Sequence, residues 1–147
     1  MGAIIATMIE FKKYQAQSAD GSSMTVTIAS GPVIIEDGKV LLDQHGDPDM
    51  WKFPGGRIRD DESLQQTAMR EVKEELGIAI EIISEPFVIT IQKDQETIIL
   101  AHYLAKRVGD IVPGRDVVTW AWHDVDNLPA NCAPNILPVV THFSNEK

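Results

Sequence analysis

One cysteine, Cys132, stands in the whole chain. A lone thiol cannot close an intrachain disulfide, so the fold has to hold without one, which fits a reducing compartment and sets the expectation of a cytoplasmic protein. Aromatic residues are sparse at 6%, and no apolar run is long enough to span a bilayer. The first apolar stretch, Ile4 to Ile9, is too short and has its lysines after the run, the reverse of a signal peptide. It is expected to be a strand, and no membrane partner is expected. Positive charge is also scarce, with 13 Lys and Arg against 22 Asp and Glu and a formal net charge of −9. A sequence-independent grip on DNA or RNA needs clustered cations, so nucleic acid is set aside as a partner. A small phosphate ligand is not excluded, because bound metal ions reverse the local sign.

What is present reads as one ordinary globular unit. The 147 residues are 44% hydrophobic and 24% charged, which suits a single domain over 1–147 with residues 1–23 as a strand and loop extension. The oligomeric state stays open, a homodimer among the options. Gln17 to Ser23 contains the turn signal Asp20-Gly21 and reads as a loop. Met24 to Ser30 and Val33 to Glu36 read as strands interrupted by Gly31-Pro32, and Asp37-Gly38 reads as a tight hairpin into Lys39 to Asp43. Gln44 to Met50 is a polar loop near the site. Ala79 to Ile83, Phe87 to Gln92, Thr97 to Arg107 and Val117 to His123 are strand-like, and Asn135 to Phe143 suits a closing helix. Trp120 and Trp122 share one strand face and read as core.

The chemistry concentrates between Gly56 and Ile78. With Leu64 to Leu76 helical, Glu71 and Glu75 stand one above the other and Glu74 lies close beside them. Leu64, Ala68, Val72 and Leu76 form the adjacent apolar stripe, so the helix is buried on one side and acidic on the next. Ser63 with Gln66 fits a capping box, and Gly77 is placed to end the helix in the left-handed conformation. Three carboxylates this close repel and raise one another's pKa, so a cation is expected among them. No Cys or His joins the cluster in the sequence, and oxygen-only ligands point to Mg2+, with Mn2+ as the second choice. A run of glutamates is usually a solvated helix face. Here Gly55-Gly56 before the helix, Glu62 ahead of Arg70 and Gly77 after it have no place in that reading.

Gly56, Glu62, Arg70, Glu71, Val72, Glu74, Glu75, Gly77 and Ile78 match G-x5-E-x7-R-E-U-x-E-E-x-G-U, U aliphatic, at every specified position. The chain thus resembles the Nudix hydrolases, and a chance match is on the order of one in 10^8 per start point. The resemblance extends through Trp120 to Asp124 and Leu128-Pro129, roughly Val26 to Leu137. It implies an α/β fold, an α/β/α sandwich with a mixed β-sheet. It also implies Mg2+-dependent hydrolysis of a phosphoanhydride in a nucleoside diphosphate linked to another group. The short chain favours cleavage of a nucleoside triphosphate to monophosphate and pyrophosphate. ADP-ribose or dinucleoside polyphosphate hydrolysis, or a silent nucleotide-binding module, are the alternatives. By the same resemblance Glu71, Glu74, Glu75 and the Gly56 carbonyl hold metal, Arg70 orients the glutamates, and Glu62 belongs to the catalytic set. The general base is a cassette glutamate or an acid on a later loop, for which Asp116 is preferred over Glu96 and Asp94. Asn131 or Asn135 reads the base, and His45, His102, His123 and His142, scattered along the chain, are set aside.

Overall fold

Side chains that alternate along a strand decide which helix each residue meets. In the computed structural model, which describes residues 8–10, 13–17, 23–46 and 49–144, twelve elements follow in order. These are β1 (Met8–Glu10), β2 (Lys13–Gln17), β3 (Ser23–Val33), β4 (Ile35–Glu36), β5 (Lys39–His45) and β6 (Gly56–Arg57). Then come α1 (Leu64–Leu76), β7 (Ala79–Ile82), β8 (Phe87–Lys93), β9 (Glu96–Val108), β10 (Val117–Asp124) and α2 (Ile136–Ser144). β3 and β9 pair in parallel from Thr25 with Glu96 to Val33 with Leu104, and the other pairings are antiparallel, so the sheet is mixed. A smaller sheet runs β10, β5, β4. Of the expected N-terminal strand, residues 4–7 lie outside the described residues, as do 18–22 of the expected loop.

Leu104 packs toward the α2 residues Ile136, Val139 and Phe143, while its neighbours Tyr103 and Ala105 pack toward α1. Val40 and Leu42 likewise join the α2 cluster, and Leu41 joins Val72 and Leu76 of α1. Successive strand residues point to opposite faces, so the two helices cover opposite sides, and the layered α/β expectation holds. Full burial of Val72 and Leu76 stabilises the seat of α1 by roughly 1.5–3 kcal/mol each. Among the described residues no helix is long and apolar enough to cross a membrane.

One expectation about the strands fails. β3 runs straight through Gly31-Pro32. Beyond Ser30 it keeps a sheet partner only on the β9 side among the described residues, and proline is tolerated where a strand has a free edge. Gly31 stays in the strand for a packing reason, since a Cβ there would lie 2.0 Å from the Pro54 carbonyl oxygen. Asp37 and Gly38 take φ of 53° and 75°, the hairpin geometry expected of that pair.

Candidate active site

Local sequence sets the rotation of α1, and the rotation sets the carboxylates. Ser63 Oγ accepts from Gln66 N at 3.1 Å while Gln66 Oε1 accepts from Ser63 N at 2.8 Å, closing both halves of the capping box. At the far end Gly77 has φ 69° and its N–H returns to the Lys73 carbonyl. Thr67, Ala68, Glu71, Val72, Glu75 and Leu76 are the buried positions. The apolar stripe therefore draws Glu71 and Glu75 inward with it. Glu74, a third of a turn away, stays exposed.

Glu62 lies outside the cluster and holds Arg70. It accepts from Arg70 Nε at 2.5 Å and Nη2 at 3.0 Å, from Arg59 N at 3.0 Å and from Thr67 Oγ1 at 2.8 Å. The Arg70 bond holds its carboxyl far below the ordinary range, at about 2, and Glu62 in turn raises the Arg70 guanidinium. Arg70 Nη1 then reaches Glu71 Oε1 at 2.8 Å and Glu74 Oε2 at 3.3 Å. Glu62 thus orients the arginine, and the arginine orients Glu71.

The Gly-Gly approach fits against these carboxylates. A Cβ on Gly56 would come within 2.4 Å of Glu71 Cδ, so only glycine lets the backbone lie on that carboxylate. Gly55 N donates to Glu75 Oε1 at 3.1 Å. Burial pushes the Glu75 carboxyl up to about 10, with Asp43 and Glu71 adding repulsion.

Two residues that sequence reasoning missed complete this wall. Asp43, fully buried in β5, contacts His45 Nδ1 through its Oδ1, and the same nitrogen stands 3.7 Å from Glu75 Oε1. The expectation that no histidine joins the carboxylates is therefore corrected. Leu41 of β5 packs against Val72 and Leu76 of α1, and alternation places residues 43 and 45 on that same face. An acid two residues before a histidine in a β-prone run was the available signal, and it is a weak one.

The carboxylates open onto a cleft of about 450 Å³ walled by His45, Glu71, Glu74, Glu75, Arg115 and Asp116. Asp116 is thus on its wall. Glu96, in β9, accepts from Thr27 Oγ1 at 3.0 Å, and Asp94 sits in the β8–β9 turn at φ 57°, so neither is on that wall. Across Gly55-Gly56 lies a second, mostly apolar pocket of about 410 Å³, with Phe53, Ile91, Ile98, Leu100, His102 and Asn135 among its walls. Its size falls in the ordinary range for small-molecule sites. Asn135 Nδ2 lies 3.2 Å from His102 Nε2, and burial depresses His102 to about 4, so its ring is neutral. Asn131 is elsewhere. Its side chain donates to the Asp49 carbonyl at 3.1 Å. His45 lines both the cleft and the pocket and so marks their junction.

The NUDIX domain family profile matches residues 25–143. The chain belongs to the Nudix hydrolase family. A CTP pyrophosphohydrolase of Escherichia coli is 33% identical over 101 residues, 64% of this chain and 58% of that protein. A MutT-like protein of Streptomyces ambofaciens is 35% identical over 68 residues, 46% of this chain and 44% of its own. The matches span about half the length of these curated relatives. Among solved structures, a MutT Nudix hydrolase from Burkholderia pseudomallei superposes with a TM-score of 0.72 at 24% identity, covering 79% of this chain and 96% of that one. The Escherichia coli ORF135 protein superposes at 0.70 and 26% identity, covering 83% and 91%. This Nudix match accounts for the mixed sheet between helices.

Proposed function

We propose that this Nudix protein is a divalent-cation-dependent pyrophosphohydrolase that converts a nucleoside triphosphate to the monophosphate and pyrophosphate. The observation that carries the reading is the buried Glu71–Glu75 pair laid against Gly55-Gly56 and opening past His45 onto a mostly apolar pocket of about 410 Å³. The name of the Escherichia coli relative supports a triphosphate substrate.

The donor set fits a hard cation. Glu71 and Glu75 are carboxylates drawn out of water, and the missing Cβ at Gly56 leaves its backbone free to approach the same point. In this reading Glu71, Glu74, Glu75 and the Gly56 carbonyl hold Mg2+, with Mn2+ as a substitute. Bound there, the ion supplies Lewis acidity at the phosphoryl oxygens. Arg70 fixes the Glu71 carboxylate, and Glu62 fixes Arg70. Asp116, on the cleft wall, takes the proton of the attacking water. The pocket encloses the base, where Asn135 offers its amide oxygen while its nitrogen faces His102; Asn131 braces the loop at Asp49. The lone Cys132 supports a cytoplasmic setting for the same reading.

A panel of nucleotides assayed with Mg2+, and again with EDTA, tests the proposal. Monophosphate and pyrophosphate are expected, with EDTA abolishing turnover. In heavy-oxygen water the product masses show which phosphorus was attacked. Release of orthophosphate and a diphosphate would overturn the bond assignment. Cleavage of ADP-ribose or dinucleotides alone would overturn the substrate class, and nucleotide binding without turnover would mark a silent module.

A further inference from the structure

Asp43 has no accessible surface on its side chain, and its Oδ2 has no hydrogen-bond partner. The other oxygen, Oδ1, faces His45 Nδ1, and that nitrogen stands 3.7 Å from Glu75 Oε1. One ligand atom from each of the three lies within 4.8 Å of the others. Among the described residues no Lys or Arg pairs with Asp43 or Glu75, whereas Glu71 has Arg70 at 2.8 Å. Two buried carboxylates therefore share one imidazole. Buried charge in that proportion is strongly unfavourable unless a cation or a proton balances it.

We propose that Asp43, His45 and Glu75 form a second divalent-cation site that takes a first-row transition-metal ion and shares Glu75 with the Mg2+ site. The inference rests on the reading of Glu75 as a metal ligand. Donors at about 2.0–2.2 Å from one ion lie roughly 3.0–4.4 Å from each other, and the His45 to Glu75 separation falls inside that window. The Asp43 to His45 contact is tighter, so an ion entering there replaces the proton between them and spreads the pair. The nitrogen donor selects the metal. Imidazole suits Zn2+, Ni2+ or Co2+ better than Mg2+, which keeps to oxygen and water, and Mn2+ follows Mg2+ at oxygen yet accepts a nitrogen donor, so it serves as the spectroscopic probe. Position gives the site a use, since His45 borders both the acidic cleft and the apolar pocket. A phosphate chain running from one to the other passes it, and two ions sharing a carboxylate form a clamp for in-line displacement.

The full chain, stripped of metal and then saturated with Mg2+, is titrated with Mn2+ and followed by electron paramagnetic resonance. Pulsed measurements on the same samples read nitrogen coupling. One Mn2+ is expected to bind in the presence of Mg2+ with a histidine nitrogen in its shell. His45→Gln should remove that coupling and weaken Mn2+ binding at least tenfold. Asp43→Asn should weaken it comparably, and a thermal melt shows whether that buried variant is folded. The variant at the partly exposed His45 carries the test if it is not. Absence of nitrogen coupling at every Mn2+ occupancy up to two per chain, or coupling that survives His45→Gln, overturns the proposal. If Mg2+-dependent hydrolysis persists in that case, the second site fails while the proposed activity stands. Nitrogen coupling in a protein that hydrolyses no nucleotide supports the site and sinks the activity.

Discussion

The acidic cleft and the apolar pocket lie on either side of Gly55-Gly56, yet they are built in opposite ways. The three glutamates of the cleft come from one helix, α1, with helical periodicity doing the positioning, and His45, Gly46, Arg115 and Asp116 close the wall around them. The pocket draws on β3, the Met50 to Gly56 segment, β8, β9 and the Ala133 to Asn135 segment. In the proposed reading the carboxylates that hold the cation are specified locally on α1, whereas the walls that would select the ligand depend on long-range pairing such as β3 with β9. If that division is functional, changes in the cleft should alter rate for every substrate, and changes in the pocket should alter preference among substrates.

The largest effect should come from Glu75→Gln. Turnover should fall by about 10^3 or more, since several kcal/mol of transition-state stabilisation by the cation depend on that charge. The loss should be equal across nucleotides. Metal-free stability should stay within about 0.5 kcal/mol of the parent, because burial already keeps this carboxyl protonated to about 10 and an amide replaces a neutral acid. Glu74→Gln, at an exposed position, should lose less. Rates on a nucleotide panel and denaturant melts in EDTA would check both, and an unequal loss across bases would break the division between cleft and pocket.

Next in size is a pH effect confined to the pocket. His102 is buried and neutral, depressed to about 4, while an unfolded histidine titrates near 6.5. The unfolded chain therefore takes up the proton first as pH falls. Stability from this residue is fully present above 6.5 and is lost progressively down to about 4, by up to about 3 kcal/mol. Glu62, held to about 2 by Arg70, adds its own loss below 4.5. Between 6.5 and 4.5 Glu75, pushed up by burial, and His123, pushed down by it, also contribute to the slope, so only the difference between parent and variant isolates His102. Melts of the parent against His102→Leu should show the slope there flattened in the variant, and equal slopes would mean the ring is not kept neutral by burial.

Asn135→Ala should come below that. Removing a polar group that faces His102 Nε2 at 3.2 Å should lower kcat/KM for the preferred nucleotide by about 1–3 kcal/mol, roughly 5- to 150-fold. Turnover of poorly bound nucleotides should hardly change. Competition between two nucleotides in one tube would read this directly. A uniform loss would place Asn135 with the rate machinery.

The same contrast explains what the sequence could reveal. Ser63, Gln66 and Gly77 bracket α1 by purely local chemistry, so its ends were readable to the residue. The acidic stripe on that helix followed from spacing alone. Asp43 and His45 were not readable as site residues, because their nearness to Glu75 arises only when β5 is laid beside α1. His102 reaches Asn135 through a strand and a loop far apart in the chain, and a scattered histidine carries no periodic signal. Gly31-Pro32 misled for a related reason. Those residues break strands by local preference, but the register with β9 and the close passage of Pro54 override it.

The smallest expected effect separates helix placement from ligand selection. Gly77 sits at φ 69°, and a Cβ there would lie 2.7 Å from the Val112 carbonyl oxygen. Alanine is strained in that conformation and has to push the Val112 backbone aside, so Gly77→Ala should destabilise by about 1 kcal/mol or somewhat more. The strain falls within one turn of Glu74 and Glu75 and close to Gly114, whose N–H donates to the Glu75 carbonyl at 2.7 Å. A shift there disturbs the cleft wall that ends in Arg115 and Asp116. It leaves the Phe53, His102 and Asn135 walls untouched. Denaturant melts should therefore show the loss of stability together with a modest, uniform drop in turnover and an unchanged ratio between competing nucleotides. A changed ratio would mean that the end of α1 is coupled to the pocket, and the separation of rate from preference would not hold.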